Sequence, residues 1–274
     1  LPVFGGCTPP AQSPVSANED LILPDVAYGA HFRQKMDVYL PKNRTANSRI
    51  ILYLHRGGWY LGDKGEIKDG AVFFQQQGFV SISLNYRLTR IPENFIHPAQ
   101  MIDIGMALDL IGAKSSEWNI SDRRIALFGG SADAHLSLLY AYQYDPAKRV
   151  KAVIPISGPT DLTNPILIGN RMGNEPVGGM IESYIGGKLA TNLTAWQAAS
   201  PINAISANAP PTLFIHGTAD SVVPYQQSVA AHSKLIRAGV AAQLAPQPNV
   251  GHDLVAAWGA LIPMIITFVN THAK

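Results

Sequence analysis

The chain has 274 residues, 47% of them hydrophobic and 15% charged, with a formal charge of only +2. It is long enough to bury a large core in one domain, and its near-neutral balance excludes a basic face for nucleic acid and favours a small neutral ligand. No apolar run approaches the roughly 18 to 20 residues of an integral membrane span, and the single cysteine excludes an internal disulfide or a multi-cysteine metal site.

Residues 1–20 read as an N-terminal arm or tether ahead of a single domain over 21–274. Within the arm, Phe4-Gly5-Gly6-Cys7 resembles the end of a bacterial lipoprotein signal, which makes Cys7 a candidate lipid anchor in a cell-envelope or secreted setting. The alternative is a free thiol in the arm of a cytoplasmic protein. The tripeptides at Asn43, Asn119 and Asn192 fit an N-glycosylation acceptor and matter only in a eukaryotic secretory setting.

Lys35 to Leu40 alternates apolar and polar residues and ends at Pro41, predicting an early antiparallel strand. Arg49 to His55 is almost continuously apolar, the pattern of a parallel strand covered on both faces. The same type recurs at Val80 to Leu84, Ile125 to Phe128, Val150 to Ile156 and Thr212 to Ile215, with helix-length segments between several of them. The alternation predicts βαβ units and a doubly wound sheet. Pro98 opens a helix through about Ala113, with Met101, Ile104, Leu108 and Ile111 on one face, and Pro224 opens another through about Arg237. Ala132 to Tyr144 is the helix after the strand at Ile125, and Asp253 to Asn270 is a closing helix. Between them, residues 161–205 are rich in Gly, Asn and Thr with only short helical pieces, as expected of a cover over a binding site.

The chemistry centres on Ile125 to His135, IALFGGSADAH, where a buried strand stops at a glycine pair and Ser131 before a helix begins. Gly129 and Ser131 match the front of the nucleophile-elbow pattern G-x-S-x-G, but Asp133 stands where the last glycine belongs. A serine hydroxyl is a poor nucleophile at neutral pH, so it needs a base within hydrogen-bond reach and a third group to orient that base. Asp220, in a loop past the strand at Thr212, and His252, in NVGHDL, are the candidates, and they complete the chain order Ser, Asp, His. Asp161, in SGPTDL, is the rival acid, ranked second because its loop more naturally opens the cover. His135 and His216 read as structural. A carbonyl under attack also needs preorganised N–H donors. The glycines of His55 to Trp59, HRGGW, permit close backbone approach, so the amides of Gly57, Gly58 and Ala132 are candidates for an oxyanion hole.

With these residues in view, the chain resembles an α/β-hydrolase of the carboxylesterase branch that includes hormone-sensitive-lipase-like enzymes and bacterial acetyl or feruloyl esterases. MDVYLPKN, LHRGGWYLGDK, LNYRL, the elbow, ASPIN, PPTLFIHGTADSVVP and GHDL resemble that family's blocks in its order. The resemblance implies an α/β-hydrolase fold: a mostly parallel doubly wound sheet, flanking helices and a short irregular cover. It also implies a catalytic triad of Ser131, Asp220 and His252, an oxyanion hole from Gly57, Gly58 and Ala132, and Trp59 lining the acyl pocket. No metal or organic cofactor is expected, and the ligand is a small-molecule ester. Two positions depart from the family pattern: Arg56 replaces a glycine of HGGGW, and Asp133 replaces the last glycine of the elbow. Three functions follow as expectations: a working serine carboxylesterase on small acyl or aryl esters, an impaired relative that binds esters or proteins, or a hydrolase adapted to amides or acyl peptides. Because their segments face each other in this fold, Arg56 and Asp133 are expected to form an ion pair beside Ser131.

Overall fold

The structure is a computed structural model and describes residues 15–90, 94–254 and 258–274. Cys7 lies outside the described residues. Eight strands form one sheet: β1 (Leu21–Ala27), β2 (Lys35–Leu40), β3 (Ile50–Leu54), β4 (Val80–Leu84), β5 (Ile125–Gly130), β6 (Val150–Ile156) and, beyond a small hairpin of β7 (Arg171–Met172) and β8 (Glu175–Pro176), β9 (Thr212–Gly217) and β10 (Ala242–Gln247). Their order is β1-β2-β4-β3-β5-β6-β9-β10. Strand β2 runs antiparallel to β1 and β4, while every other neighbouring pair is parallel.

The interior strands are apolar on both faces because helices cover both. Ile50, Leu52, Leu54, Ile125 and Leu127 join the core under α2 (Ala99–Trp118), α3 (Ala132–Leu139) and α8 (Gln226–Arg237). Ile51, Tyr53, Ala126 and Phe128 point the other way, toward α1 (Lys68–Gln76) and α9 (Trp258–His272). The four residues assigned to the buried face of α2 are all buried. That helix passes its expected end and stops only at Trp118, where Asn119 adopts a left-handed conformation and its N–H returns to the last turn.

Two strands of the eight-stranded sheet, β1 and β10, were not expected from the sequence, and both are its edges. Each contains a proline, Pro24 in β1 and Pro246 in β10. Proline is tolerated there because an edge strand has ladder positions that need no N–H donor. A bulge between Leu23 and Val26, with Asp25 at φ 54°, further breaks the alternation of β1.

Residues 161–205 connect β6 to β9 through α4 (Pro165–Gly169), the hairpin, α5 (Val177–Ile185), α6 (Leu189–Ala198) and α7 (Pro201–Ala204). Asn164 caps α4 by accepting from the amides of Ile166 and Leu167 ahead of Pro165. Val177, Met180, Ile181, Tyr184 and Trp196 anchor the segment to the core on the α3 side of the sheet.

Burial has a consequence for pH. It lowers the pKa of His135 to about 3 and those of His55 and His97 to about 4, whereas an unfolded histidine titrates near ~6.5. Between those limits the unfolded chain binds more protons. The stability that these neutral imidazoles contribute is therefore complete above about pH 6.5 and is lost as the pH falls toward 4. The urea midpoint should fall steadily over that interval, and a midpoint that stays constant from neutrality to about pH 5 would contradict the depressed values.

Candidate active site

The carboxyl ends of β3 and β5 face one crevice, at the point where the strand order reverses from leftward to rightward addition. Ser131 follows β5 directly and holds φ 58°, ψ −122°, a strained conformation that throws its side chain off the strand-to-helix bend. Its N–H donates to the Ile156 carbonyl of the neighbouring strand at 2.8 Å. Gly129 is required by packing: a Cβ there would lie 2.6 Å from the Asp133 backbone.

His252 reaches across from the loop ahead of α9. Its Nε2 lies 2.9 Å from Ser131 Oγ, and its Nδ1 lies 2.8 Å from Asp220 Oδ2. Asp220 is fixed in turn, since Oδ1 accepts from the amides of Val222 and Val223 at 2.8 and 2.9 Å. Burial by itself would raise the Asp220 pKa, but the contacts from His216 and His252 outweigh it and hold the carboxyl below the usual carboxylate range. A carboxylate that stays ionised orients Nδ1–H and leaves Nε2 as the acceptor for a serine proton. His216, read from sequence as structural, is also in contact with this acid, with Nε2 3.2 Å from Asp220 Oδ2. Its placement as the penultimate residue of β9 was the available signal. Asp161 stays apart, its Oδ1 accepting from Thr163 N and Oγ1.

Gly57 and Gly58 adopt φ +139° and +58°, which glycine alone accepts readily. No acceptor among the described residues is engaged by the amides of Gly57, Gly58 or Ala132. Free donors on a loop beside the nucleophile are what a developing oxyanion requires.

Two expectations for this loop are corrected. Trp59 does not line the cavity beside Ser131: at φ 67° it turns inward, 3% exposed, stacks on Tyr184 at 5.0 Å and donates from Nε1 to His135 Nδ1. Nor do Arg56 and Asp133 pair. Arg56 is exposed and its Nη1 meets Asp253 Oδ1 at 2.8 Å, whereas Asp133 is fully buried and bonded to the Tyr86 hydroxyl. The first turn of α3 directs Asp133 to the buried Tyr86 hydroxyl, away from the solvent that holds Arg56.

A cavity of about 440 Å³ opens beside Ser131 and His252. Tyr53, Phe73, Phe74, Phe128, Ile156 and Leu254 form its apolar wall, with the exposed Arg56 and Glu66 also contributing. None of the lining residues comes from 161–205. The aromatic wall was not legible in sequence, because it joins α1 to two strands across the sheet.

The family model described as BD-FAE matches residues 36–235. Two curated relatives from Mycobacterium tuberculosis are similar: "Probable carboxylic ester hydrolase LipM", 29% identical over 74% of this chain and 49% of its own length, and "Esterase LipQ", 28% identical over 85% and 58%. The chain thus spans about half the length of these relatives. Among solved structures, a "Truncated form of carbohydrate esterase from gut microbiota" superposes with a TM-score of 0.75 at 21% identity, covering 94% of this chain and 100% of that one.

Proposed function

The chain belongs to the BD-FAE family of α/β-hydrolases, and we propose that it is a serine carboxylesterase that hydrolyses small acyl or aryl esters through a covalent acyl-enzyme. The observation that carries this reading is the continuous hydrogen-bonded chain from Ser131 through His252 to Asp220, set on a strained strand-to-helix bend.

Ser131 Oγ attacks the ester carbonyl while His252 Nε2 takes its proton, and Asp220 stabilises the imidazolium that results. The carbonyl oxygen becomes an oxyanion facing the free amides of Gly57, Gly58 and Ala132. Collapse of the tetrahedral species expels the alcohol with the proton from His252. A water activated by the same histidine then releases the acid and restores Ser131. The aromatic wall of the adjoining cavity suits a short acyl chain or a ring, and its volume of about 440 Å³ falls within the span of small-ligand sites. Both departures from the family motifs are compatible with turnover: the Arg56 side chain is turned to solvent, and Asp133 fits its helix without displacing Ser131 from hydrogen-bond reach of His252.

Incubation with a reactive alkyl fluorophosphonate tests the reading. One adduct should be found by mass on the peptide containing Ser131, with none in Ser131→Ala. A parent protein left unlabelled under conditions that label a control esterase would remove the esterase assignment.

A further inference from the structure

Asp133 sits two residues past the nucleophile, and its carboxyl is fully enclosed: Oδ1 meets the Tyr86 hydroxyl, and Oδ2 has no partner among the described residues. The same hydroxyl lies 3.3 Å from the carbonyl oxygen of His55, the first residue of the oxyanion loop. A phenol carries one proton. Were Asp133 a carboxylate, that proton would be drawn to it, the His55 carbonyl would lose its donor, and a negative charge would be sealed away with no cation among the described residues in hydrogen-bond reach. With a proton on Asp133 the set closes, since the acid donates to Tyr86 Oη and Tyr86 donates to the His55 carbonyl. Burial, which pushes the Asp133 carboxyl well above the usual carboxylate range, acts in the same direction.

The far end of this chain is equally fixed. The His55 ring stacks on Tyr86 with centroids 4.4 Å apart and planes 7° from parallel. Its Nε2 accepts from Arg33 Nη2 at 3.1 Å, which leaves Nδ1 to donate to the Arg56 carbonyl at 3.2 Å. The carbonyls of His55 and Arg56, which lead into the Gly57 and Gly58 amides, are thereby each held by a donor.

We propose that Asp133 is a positioning residue that acts through Tyr86 and the His55 carbonyl to tie the nucleophile helix to the oxyanion loop, keeping Ser131 and the loop amides in one geometry. The proposal rests on the esterase reading of the site. Oxyanion donors are used in the transition state, so a loosened loop lowers kcat and leaves KM nearly unchanged.

The test compares the parent with Tyr86→Phe, Asp133→Ala and Asp133→Asn, measuring kcat and KM on p-nitrophenyl acetate and hydrogen exchange of the peptide spanning residues 55–61. Tyr86→Phe and Asp133→Ala should lose on the order of 10- to 100-fold in kcat with KM within about twofold, less than the ~100- to 1000-fold cost of deleting an oxyanion donor outright. Exchange in 55–61 should accelerate in both. Asp133→Asn keeps an N–H donor toward Tyr86 and should recover most of the rate and the protection. A Tyr86→Phe variant with kcat within about twofold of the parent overturns the proposal, as does an Asn variant as damaged as the Ala variant. Should Asp133→Ala fail to fold, Tyr86→Phe, which retains the ring stack, decides the matter alone. A parent protein without turnover on any ester removes the esterase reading instead. The exchange pattern then stands by itself: acceleration in Tyr86→Phe but not in Asp133→Asn supports the tie, and equal exchange throughout overturns it.

Discussion

Ser131→Ala should lower turnover of a short-chain aryl ester by on the order of 10⁶-fold, the scale seen when the nucleophile of a serine hydrolase is removed. The expectation follows from what Oγ does in this site. Its hydrogen bond to His252 Nε2, at 2.9 Å, is the path by which its proton leaves. Alanine keeps the Cβ, so the strained φ of 58° is neither relieved nor worsened, and the Ser131 N–H bond to the Ile156 carbonyl is untouched. Stability should therefore stay within about 0.5 kcal/mol of the parent, as for substitutions that open no cavity and orphan no buried polar group. The pairing of a near-total loss of rate with an unchanged thermal midpoint is the signature to look for. Undiminished hydrolysis in the variant would move the chemistry away from the elbow altogether.

How far the site could be read in advance depended on the kind of signal each part leaves. Ser131, Asp220 and His252 were legible because each lies in a loop near the carboxyl edge of the sheet, two of them just past strands whose unbroken apolar runs mark them as interior. The loop amides were legible for a related reason, since two adjacent glycines after a buried strand announce an unusual backbone. Trp59 shows the limit of motif adjacency. It follows Gly58 in sequence, yet its own φ of 67° turns the indole toward Tyr184 and His135, so the pocket wall is built from Phe73, Phe74 and Phe128 instead. The edge strands β1 and β10 were missed because the prolines that mark an edge also erase the alternation by which a strand is recognised. The supposed Arg56–Asp133 pair failed for lack of depth information: opposite charges were placed on facing segments, but one side chain is exposed and the other is enclosed. In the enclosed position a neutral acid hydrogen-bonded to Tyr86 is cheaper than an ion, and no pattern of charges along the chain reveals that preference.

Asp220→Asn should cost on the order of 10⁴-fold in kcat, about 5 kcal/mol of transition-state stabilisation, while leaving the fold intact. The amide oxygen can keep the two bonds that Oδ1 receives from Val222 and Val223, so the loop after β9 remains anchored. What changes is the atom facing His252. In place of an oxygen 2.8 Å from Nδ1 the variant presents an N–H donor, which makes Nδ1 the acceptor and moves the ring proton to Nε2. A protonated Nε2 cannot take the proton of Ser131. His216, 3.2 Å from the same carboxylate oxygen, loses an acceptor as well but keeps its bonds to Ser228 and the Val223 carbonyl. His216→Gln should consequently cost far less than Asp220→Asn. Asp161→Asn should cost least, because the Asp161 carboxylate accepts from Thr163 within its own turn and touches no residue of the triad. Steady-state rates on one ester for the three variants give the ranking directly. If Asp161→Asn proves the most damaging, the acid role passes to Asp161 and the Asp220 contact to His252 does not carry the chemistry.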